Sequence, residues 1–369
     1  MKKILFVATV AEHFYYFHIP VFKYFHDIGW QVEVACHGDL PLEYCDRRYE
    51  LPIKRSPADK DNIAAFKQLH GIIKENDYDI IHCHTPMGSV LTRLAALGAR
   101  KKGTKVLYTA HGFHFYKGAP LVNKLIYFPI EFLLSFCTDG LITINHEDFS
   151  NAGKYLKAKK TFLVNGVGYN SDRFFKVSAD EKLRLRNEYG YSPEEKLLIY
   201  VAELNANKNQ ALLVEAAALL RGRLDFKLLL CGADNYNGRY QALAENLGVT
   251  DCVEFLGHRD DVDALLKMSD LAVGSSLREG LPVNVMEAMA CGLPAVLTCN
   301  RGHAELISHG ENGFIVDPKS VGNMADAICK VLDDDALYDE FSKNTLSAVK
   351  KYSKERVIEE LREAYSQFI

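Results

Sequence analysis

The sequence predicts an α/β fold of two doubly wound domains, each a parallel sheet with helices on both faces. Three observations lead there. Apolar runs of strand length recur through both halves, and the runs are continuous, as strands covered on both faces require. Helical stretches separate them at the spacing of βαβ units. At 369 residues the chain is long for one hydrophobic core and natural for two. The expected domains are residues 1–172 and 173–352, with a final helix over 353–369.

Composition narrows the class. With 48% hydrophobic and 25% charged residues the chain is ordinary globular material, which excludes disorder. Nine cysteines, an odd number without a CxxC pair, point to a reducing compartment rather than a disulfide framework. No cleavable leader and no apolar span of about 18 residues is evident, so a cytoplasmic chain is expected. Residues 1–172 carry 21 Lys and Arg against 17 Asp and Glu, about +4, leaving about −8 in the remainder of a chain of net charge −4. The basic half suits an anionic membrane surface through Arg100, Lys101, Lys102, Lys105, Lys154, Lys157, Lys159 and Lys160. Ordinary solvated lysines explain it equally well. No nucleic-acid partner is expected.

The first element is the strand KILFVATV. A loop over residues 11–17, with Glu12, His13 and four aromatics, is expected next, then a helix over 19–27 ended by Gly29 and a strand from Gln31. His13 is a candidate contact to an acceptor, although a lone histidine among aromatics is more often structural. Helices over 62–76 and 88–97 alternate with strands over 79–83 and 105–109. His82, Cys83 and His84 suggest metal ligands, but on a strand Cys83 points away from the two histidines and no cluster completes the set, so no metal is expected. TAHGFHFYKG, residues 109–118, follows a strand, and open α/β sheets bind ligands at the carboxyl ends of strands. His111 and Gly112 are thus placed for function, with Lys117 as a further acceptor contact. Residues 121–137 are apolar but broken by Asn123, Lys124, Pro129 and Glu131, so they should form a helix packed on the sheet rather than a membrane span. A strand to Ile144, a helix over 147–156 and the stretch NGVGYNSDRF close the half.

The second half opens with a helix over 180–189 and the strand KLLIYVAEL. The next helix is expected over 208–220, capped by Asn207 with Gln210 three residues on. Lys208 would then stand at the positive end of a helix dipole, a position that a bound anion would rationalise. Strands FKLLLCG, VEFLG and DLAVGSS lead into REGLPVNVMEAMACGLPAVLT, residues 278–298, around which the rest is organised. Leu281 and Pro282 open a helix, Gly292 closes it and Pro294 bars its continuation. Glu279 lies just outside the N-terminus and Glu287 about two turns in, and helical side chains lean toward the N-terminus, so both carboxylates can face one molecule. The N–H groups of Leu281, Val283 and Asn284 and the helix dipole offer a seat for a diphosphate. An amphipathic helix with Val285, Ala288 and Met289 inward and its glutamates solvated accounts for the same residues.

Glu279, seven residues, Glu287, and then Ala288, Met289, Ala290, Cys291, Gly292 and Pro294 resemble the signature of the family-four retaining glycosyltransferases. The resemblance implies the GT-B fold, two Rossmann-like domains facing a central cleft with the C-terminal helix crossing back to the first. It implies a nucleoside diphosphate sugar, with UDP the commonest carrier, and neither cofactor nor metal. Glu279 would contact sugar hydroxyls and Glu287 the ribose; Gly280, Leu281, Val283, Asn284, Asn205 and Arg259 would complete the donor site. His111 matches the family's histidine near the donor sugar, and His114 does not. Lys208 matches the lysine that neutralises the diphosphate, but Glu203 stands where the family has arginine, so either Lys208 acts largely alone or another cation, such as Arg259, Arg278 or Arg301, approaches. Gly168 replaces the aspartate of the usual Asn-Gly-Val-Asp hinge entry, and the first loop lacks the family's glycines, so the acceptor is unread.

AHGFHF and AELNANKNQ resemble bacterial exopolysaccharide and capsule glycosyltransferases. That implies transfer from a UDP-hexose or UDP-N-acetylhexosamine to a lipid-linked, polyprenyl-type saccharide at the inner face of the cell membrane. A soluble acceptor and a nucleotide-sugar epimerase are the alternatives. A dinucleotide oxidoreductase is excluded by VATVAEHF, which lacks GxGxxG after the first strand.

Overall fold

The computed structural model describes residues 1–369, which divide into two compact units, Met1–Gly168 with Glu355–Ile369, and Tyr169–Lys354. The first unit contains β1 (Lys3–Val10), β2 (Gln31–His37), β3 (Arg47–Glu50), β4 (Ile80–His84), β5 (Lys105–Ala110), β6 (Gly140–Thr143) and β7 (Lys160–Leu163). All pair in parallel, in the order β3-β2-β1-β4-β5-β6-β7. The central strands are buried on both faces. Phe14, Phe22 and Phe25 pack with Phe6 on one side, while Leu69, Ile73 and Leu91 pack with Ile81 and Val106 on the other. β3 was outside the sequence expectation because RRYE has no apolar run; it is an edge strand blunted by charge.

Residues 11–17, expected as a loop, form the helix Ala11–Phe17, which starts directly on Val10. No glycine is needed there, since the chain enters the helix without a left-handed turn. The apolar stretch after residue 120 forms the helix Leu121–Ser135, which packs Tyr127, Phe128 and Phe132 on the core of the first sheet, as expected. Its buried residues are Glu131, Leu134 and Ser135, and Glu131 accepts from the buried Arg93 at 2.8 Å. Leu121, Leu125 and Leu133 are 74%, 70% and 64% exposed. The helix is thus anchored by an ion pair and turns much of its apolar surface to solvent.

The last helix, Lys354–Ser366, contributes Val357, Leu361 and Tyr365 to the core beside β1. Tyr365 Oη lies 2.6 Å from His82 Nδ1, and Phe368 occupies the space that a Cβ on Gly140 would need, 2.8 Å away.

The second unit contains β8 (Lys196–Val201), β9 (Phe226–Cys231), β10 (Val253–Gly257), β11 (Leu271–Gly274), β12 (Ala295–Thr298) and β13 (Gly313–Val316), parallel in the order β10-β9-β8-β11-β12-β13. The helix expected over 208–220 begins only at Ala211. Asn205 rather than Asn207 makes the turn: its Oδ1 accepts from the Lys208 N–H at 3.0 Å, and Asn209 takes φ +51°. Asn207 instead donates its amide to Arg278 O at 3.1 Å. The helix Val283–Ala290 ends as expected at Gly292, with φ +79° and the Leu293 N–H closing on Ala288 O at 3.1 Å. No helix is long and apolar enough to cross a membrane, and all nine cysteines are free.

Candidate functional site

Open parallel sheets bind ligands beyond the carboxyl ends of their strands, and both units gather their unusual side chains there. In the second unit the loop after β11 is held from beneath. Ser275 donates to Lys208 O at 2.8 Å, the Ser276 hydroxyl meets Tyr200 Oη at 2.6 Å, and Ser276 O accepts from Thr298 at 2.7 Å and Asn300 at 2.9 Å. This fixes Glu279, whose Oε1 accepts from Lys208 Nζ at 2.6 Å with both side chains largely buried. The helix Arg301–Leu306 presses on the same loop: a Cβ on Gly302 would fall 2.7 Å from Glu279 Cβ and 3.0 Å from Gly280 O. Only glycine permits that approach.

Among the three arginines considered as the missing cation, Arg301 reaches this loop, its Nε 3.3 Å from Glu279 O. Arg259 is held bidentate by Asp261 at 2.8 and 2.6 Å, and Arg278 is exposed. Glu203 is exposed and accepts from Asn235 at 3.1 Å. Val283 and Asn284 begin the helix, where N–H groups have no intrahelical acceptor. The Asn284 side chain is spent on the fold, donating to Val201 O at 2.7 Å, and Leu281 is buried. The carboxylate of Glu287, half-buried in the second turn, has no hydrogen-bond partner in the chain. Burial pushes its carboxyl up to about 7, opposed by the charges of Arg173 and Lys354.

In the first unit the ends of β1, β4 and β5 bring five histidines together. His13 Nε2 lies 3.0 Å from His18 Nε2, and His84 Nδ1 lies 3.3 Å from His111 Nε2. One nitrogen from each of these four rings lies within 4.8 Å of all the others. The expectation that no cluster joins the β4 histidines is therefore corrected, with one exception. His82 is satisfied at both nitrogens, by Tyr365 and by Thr109 at 2.8 Å. Thr85, just beyond His84, is held at φ +60° while its hydroxyl accepts from the Thr9 N–H at 3.0 Å, a strained link between the β1 and β4 ends. Burial drives the His111 ring down to about 4 and His82 to about 3, and those of His13, His18 and His84 well below the usual value, so all are neutral at pH 7.

Lys117 is not in this group; it lines a separate cavity of about 380 Å³ with Phe115, Lys124, Phe128 and Tyr155, and its N–H donates to Glu147 at 2.6 Å. His114 stacks on Tyr127 at 4.4 Å. A cavity of about 710 Å³ borders Lys2, Asp79 and Lys105, at the amino ends of β1, β4 and β5 and so at the wrong end of the sheet for the chemistry. The basic surface is partly neutralised, since Arg100 and Lys159 both pair with Asp139 at 2.8 Å.

Two Rossmann-like units of this topology, one with a lysine and carboxylates around a helix start, define a GT-B glycosyltransferase. Comparison with known proteins agrees: residues 181–347 match the glycosyl transferases group 1 family and residues 3–145 the glycosyl transferase 4-like family. EpsD of Bacillus subtilis (strain 168), named provisionally as a glycosyltransferase, is 45% identical over 370 residues, covering 100% of this chain and 97% of that one. The chain belongs to the group 1 glycosyltransferases. The UDP-Gal:alpha-D-GlcNAc-diphosphoundecaprenol alpha-1,3-galactosyltransferase of Escherichia coli is 27% identical, covering 84% of this chain and 81% of that one. The crystal structure of Anabaena HepE in complex with UDP and glucose superposes with a TM-score of 0.80 at 19% identity over 100% of both chains, a likeness of fold.

Proposed function

We propose that this glycosyltransferase moves a sugar from a nucleoside diphosphate sugar, a UDP-hexose or UDP-N-acetylhexosamine, to a hydroxyl of a lipid-linked saccharide during assembly of a surface polysaccharide. The configuration at the transferred carbon is retained, as the likeness of Glu279–Pro294 to the family-four signature implies. The observation that carries the reading is the contact of Lys208 with Glu279 beside the start of the helix Val283–Ala290. Breaking the bond between the anomeric carbon and the diphosphate leaves negative charge on the diphosphate and positive charge on the sugar. Lys208 and the free N–H groups of Val283 and Asn284 suit the first, and the Glu279 carboxylate suits the hydroxyls of the second. Lys208 exchanges its resting partner for the diphosphate, with Arg301 as the neighbouring cation, so the reaction needs no divalent ion. Glu287 binds the ribose, and His111 supports the charge developing on the sugar.

The lipid-linked acceptor is favoured by the helix Leu121–Ser135, whose exposed leucines suit the interface of a bilayer, and by the name of the Escherichia coli relative. The protein would then work as a peripheral protein on the inner face of the cell membrane. The test is a donor panel assayed by nucleotide release, with and without a polyprenyl-diphosphate-sugar acceptor, in buffer containing a chelator. Release that needs the lipid-linked acceptor, survives the chelator and gives an α-linked product from an α-linked donor is the expected result. Turnover on a soluble acceptor alone would overturn the lipid reading, and interconversion of donor sugars without acceptor would make the protein an epimerase.

A further inference from the structure

We propose that His13, His18, His84 and His111 form a site for a single transition-metal ion of the Zn²⁺ class, and that an ion there inhibits transfer by occupying His111. A tetrahedral zinc site with Zn–N bonds of about 2.05 Å has N···N edges of about 3.3 Å. The His13–His18 and His84–His111 contacts are already 3.0 and 3.3 Å, and the longest separation among the four is 4.8 Å. The two pairs are thus opposite edges of one ligand set, and modest ring rotations close the others.

A second observation is independent of those distances. His84 is fully buried, and its Nε2 has no hydrogen-bond partner. Nδ1 is the nitrogen turned to His111, so Nδ1 would ligate and Nε2 would carry the ring proton, and a buried N–H left unpaired calls for a water beside it. His84 borders a cavity of about 10 Å³ together with His18 and His111, room for one such guest. His82 borders the same cavity but is excluded as a ligand, because Tyr365 and Thr109 occupy both of its nitrogens. Four imidazoles and no thiolate or carboxylate favour zinc, nickel or copper over magnesium, calcium or manganese. His13 and His111 are partly exposed, which leaves the ion a path to solvent.

The ligands come from the helix after β1, the segment that follows it, β4 and the loop after β5, so an ion would tie three strand ends together. The inhibitory clause rests on the role proposed for His111, whereas binding itself does not. The experiment titrates Zn²⁺ into the chelator-stripped full-length protein against a chromophoric competitor and records the zinc X-ray absorption spectrum of the loaded protein. One saturable equivalent per chain, with a nitrogen-only shell dominated by imidazole scattering near 2.0–2.1 Å, is the expected result. The double variant His18→Gln, His84→Gln should lower affinity by about 100-fold, while His309→Gln leaves it unchanged. Absence of saturable binding, or an oxygen-rich shell unaffected by the double variant, would overturn the site. The spectrum of the unmodified protein decides the matter if the double variant does not fold. Nucleotide release measured with and without one equivalent of zinc tests the inhibitory clause: inhibition reversed by a chelator supports it, and equal rates at full occupancy remove it. Absence of transfer with every donor, alongside intact zinc binding, would instead fault the proposed function.

Discussion

Replacing Glu287 by glutamine removes a carboxyl that the second unit holds near neutrality and that the proposed donor needs as an anion. Its pKa stands at about 7 rather than the ordinary 4.5, because burial penalises the charged form. The sign follows from linkage. Below about pH 4.5 the carboxyl is protonated folded and unfolded, and burial costs nothing. Between 4.5 and 7 the unfolded chain ionises first, so stability is lost as pH rises, and above about 7 the whole penalty is present. Raising the carboxyl from 4.5 to about 7 corresponds to about 3 kcal/mol, which partial exposure reduces to about 1–3 kcal/mol. At about 2–4 °C per kcal/mol for a unit of this size, Glu287→Gln should raise the melting temperature at pH 8 by several degrees and leave it unchanged at pH 4. The same variant loses a charged hydrogen bond to ribose worth about 1.5–3 kcal/mol, so UDP affinity should fall by about 10- to 100-fold. Thermal melts from pH 4 to 8 and calorimetric UDP titrations measure the two effects. A stability gain that does not depend on pH would refute the burial argument, and unaltered UDP affinity would refute the ribose contact.

Three further outcomes are expected. Glu279→Ala should slow turnover by about 10²–10³-fold while UDP affinity changes little, because its partner is the sugar whose charge changes in the transition state; loss of UDP binding with normal turnover would reverse the two glutamate roles. Gly302→Ala puts a Cβ 2.7 Å from Glu279 Cβ and should cost roughly 1–3 kcal/mol in stability and also depress turnover, as denaturant melts and nucleotide release would record. Leu125→Glu with Leu133→Glu alters exposed positions, so the melting temperature should hold while sedimentation with anionic vesicles is lost; sedimentation that persists would argue against the helix as the membrane contact.

What could be read in the sequence depended on whether a residue's environment is set by its neighbours in the chain. The central strands were legible because burial on both faces demands an unbroken apolar run, as in KILFVATV. The helix after β11 was legible because Pro282 and Gly292 act locally. β3 escaped because an edge strand need not be apolar, and the start of the helix Ala211–Leu220 was misplaced because Asn205 and Asn207 compete for the same turn. Both asparagines can cap; the structure uses one for the turn and the other to hold Arg278 O.

The two features that matter most beyond the loop after β11 are non-local, and for different reasons. The histidine group draws on positions 13, 18, 84 and 111, which no spacing rule connects; what joins them is a parallel sheet that sets the carboxyl ends of β1, β4 and β5 side by side. Sequence could have raised the question, since each histidine follows or ends an apolar run, but only the sheet order answers it. The helix Leu121–Ser135 is different, because its packing on the sheet, made through Tyr127, Phe128 and Phe132, was legible and the exposure of its other apolar face was not. An apolar helix with one glutamate is expected to bury its leucines and expose its charge. Here Arg93, 38 residues earlier and itself buried against the Tyr108 ring at 4.3 Å, draws Glu131 inward beside Leu134 and leaves Leu121, Leu125 and Leu133 outward. Leaving either charge without its partner in that position would be strongly destabilising, by about 3–5 kcal/mol, so the pair fixes which face meets the protein. An orientation with three leucines outward has a cost in water that contact with a bilayer would remove, which is why the helix and the proposed lipid-linked acceptor belong to a single reading.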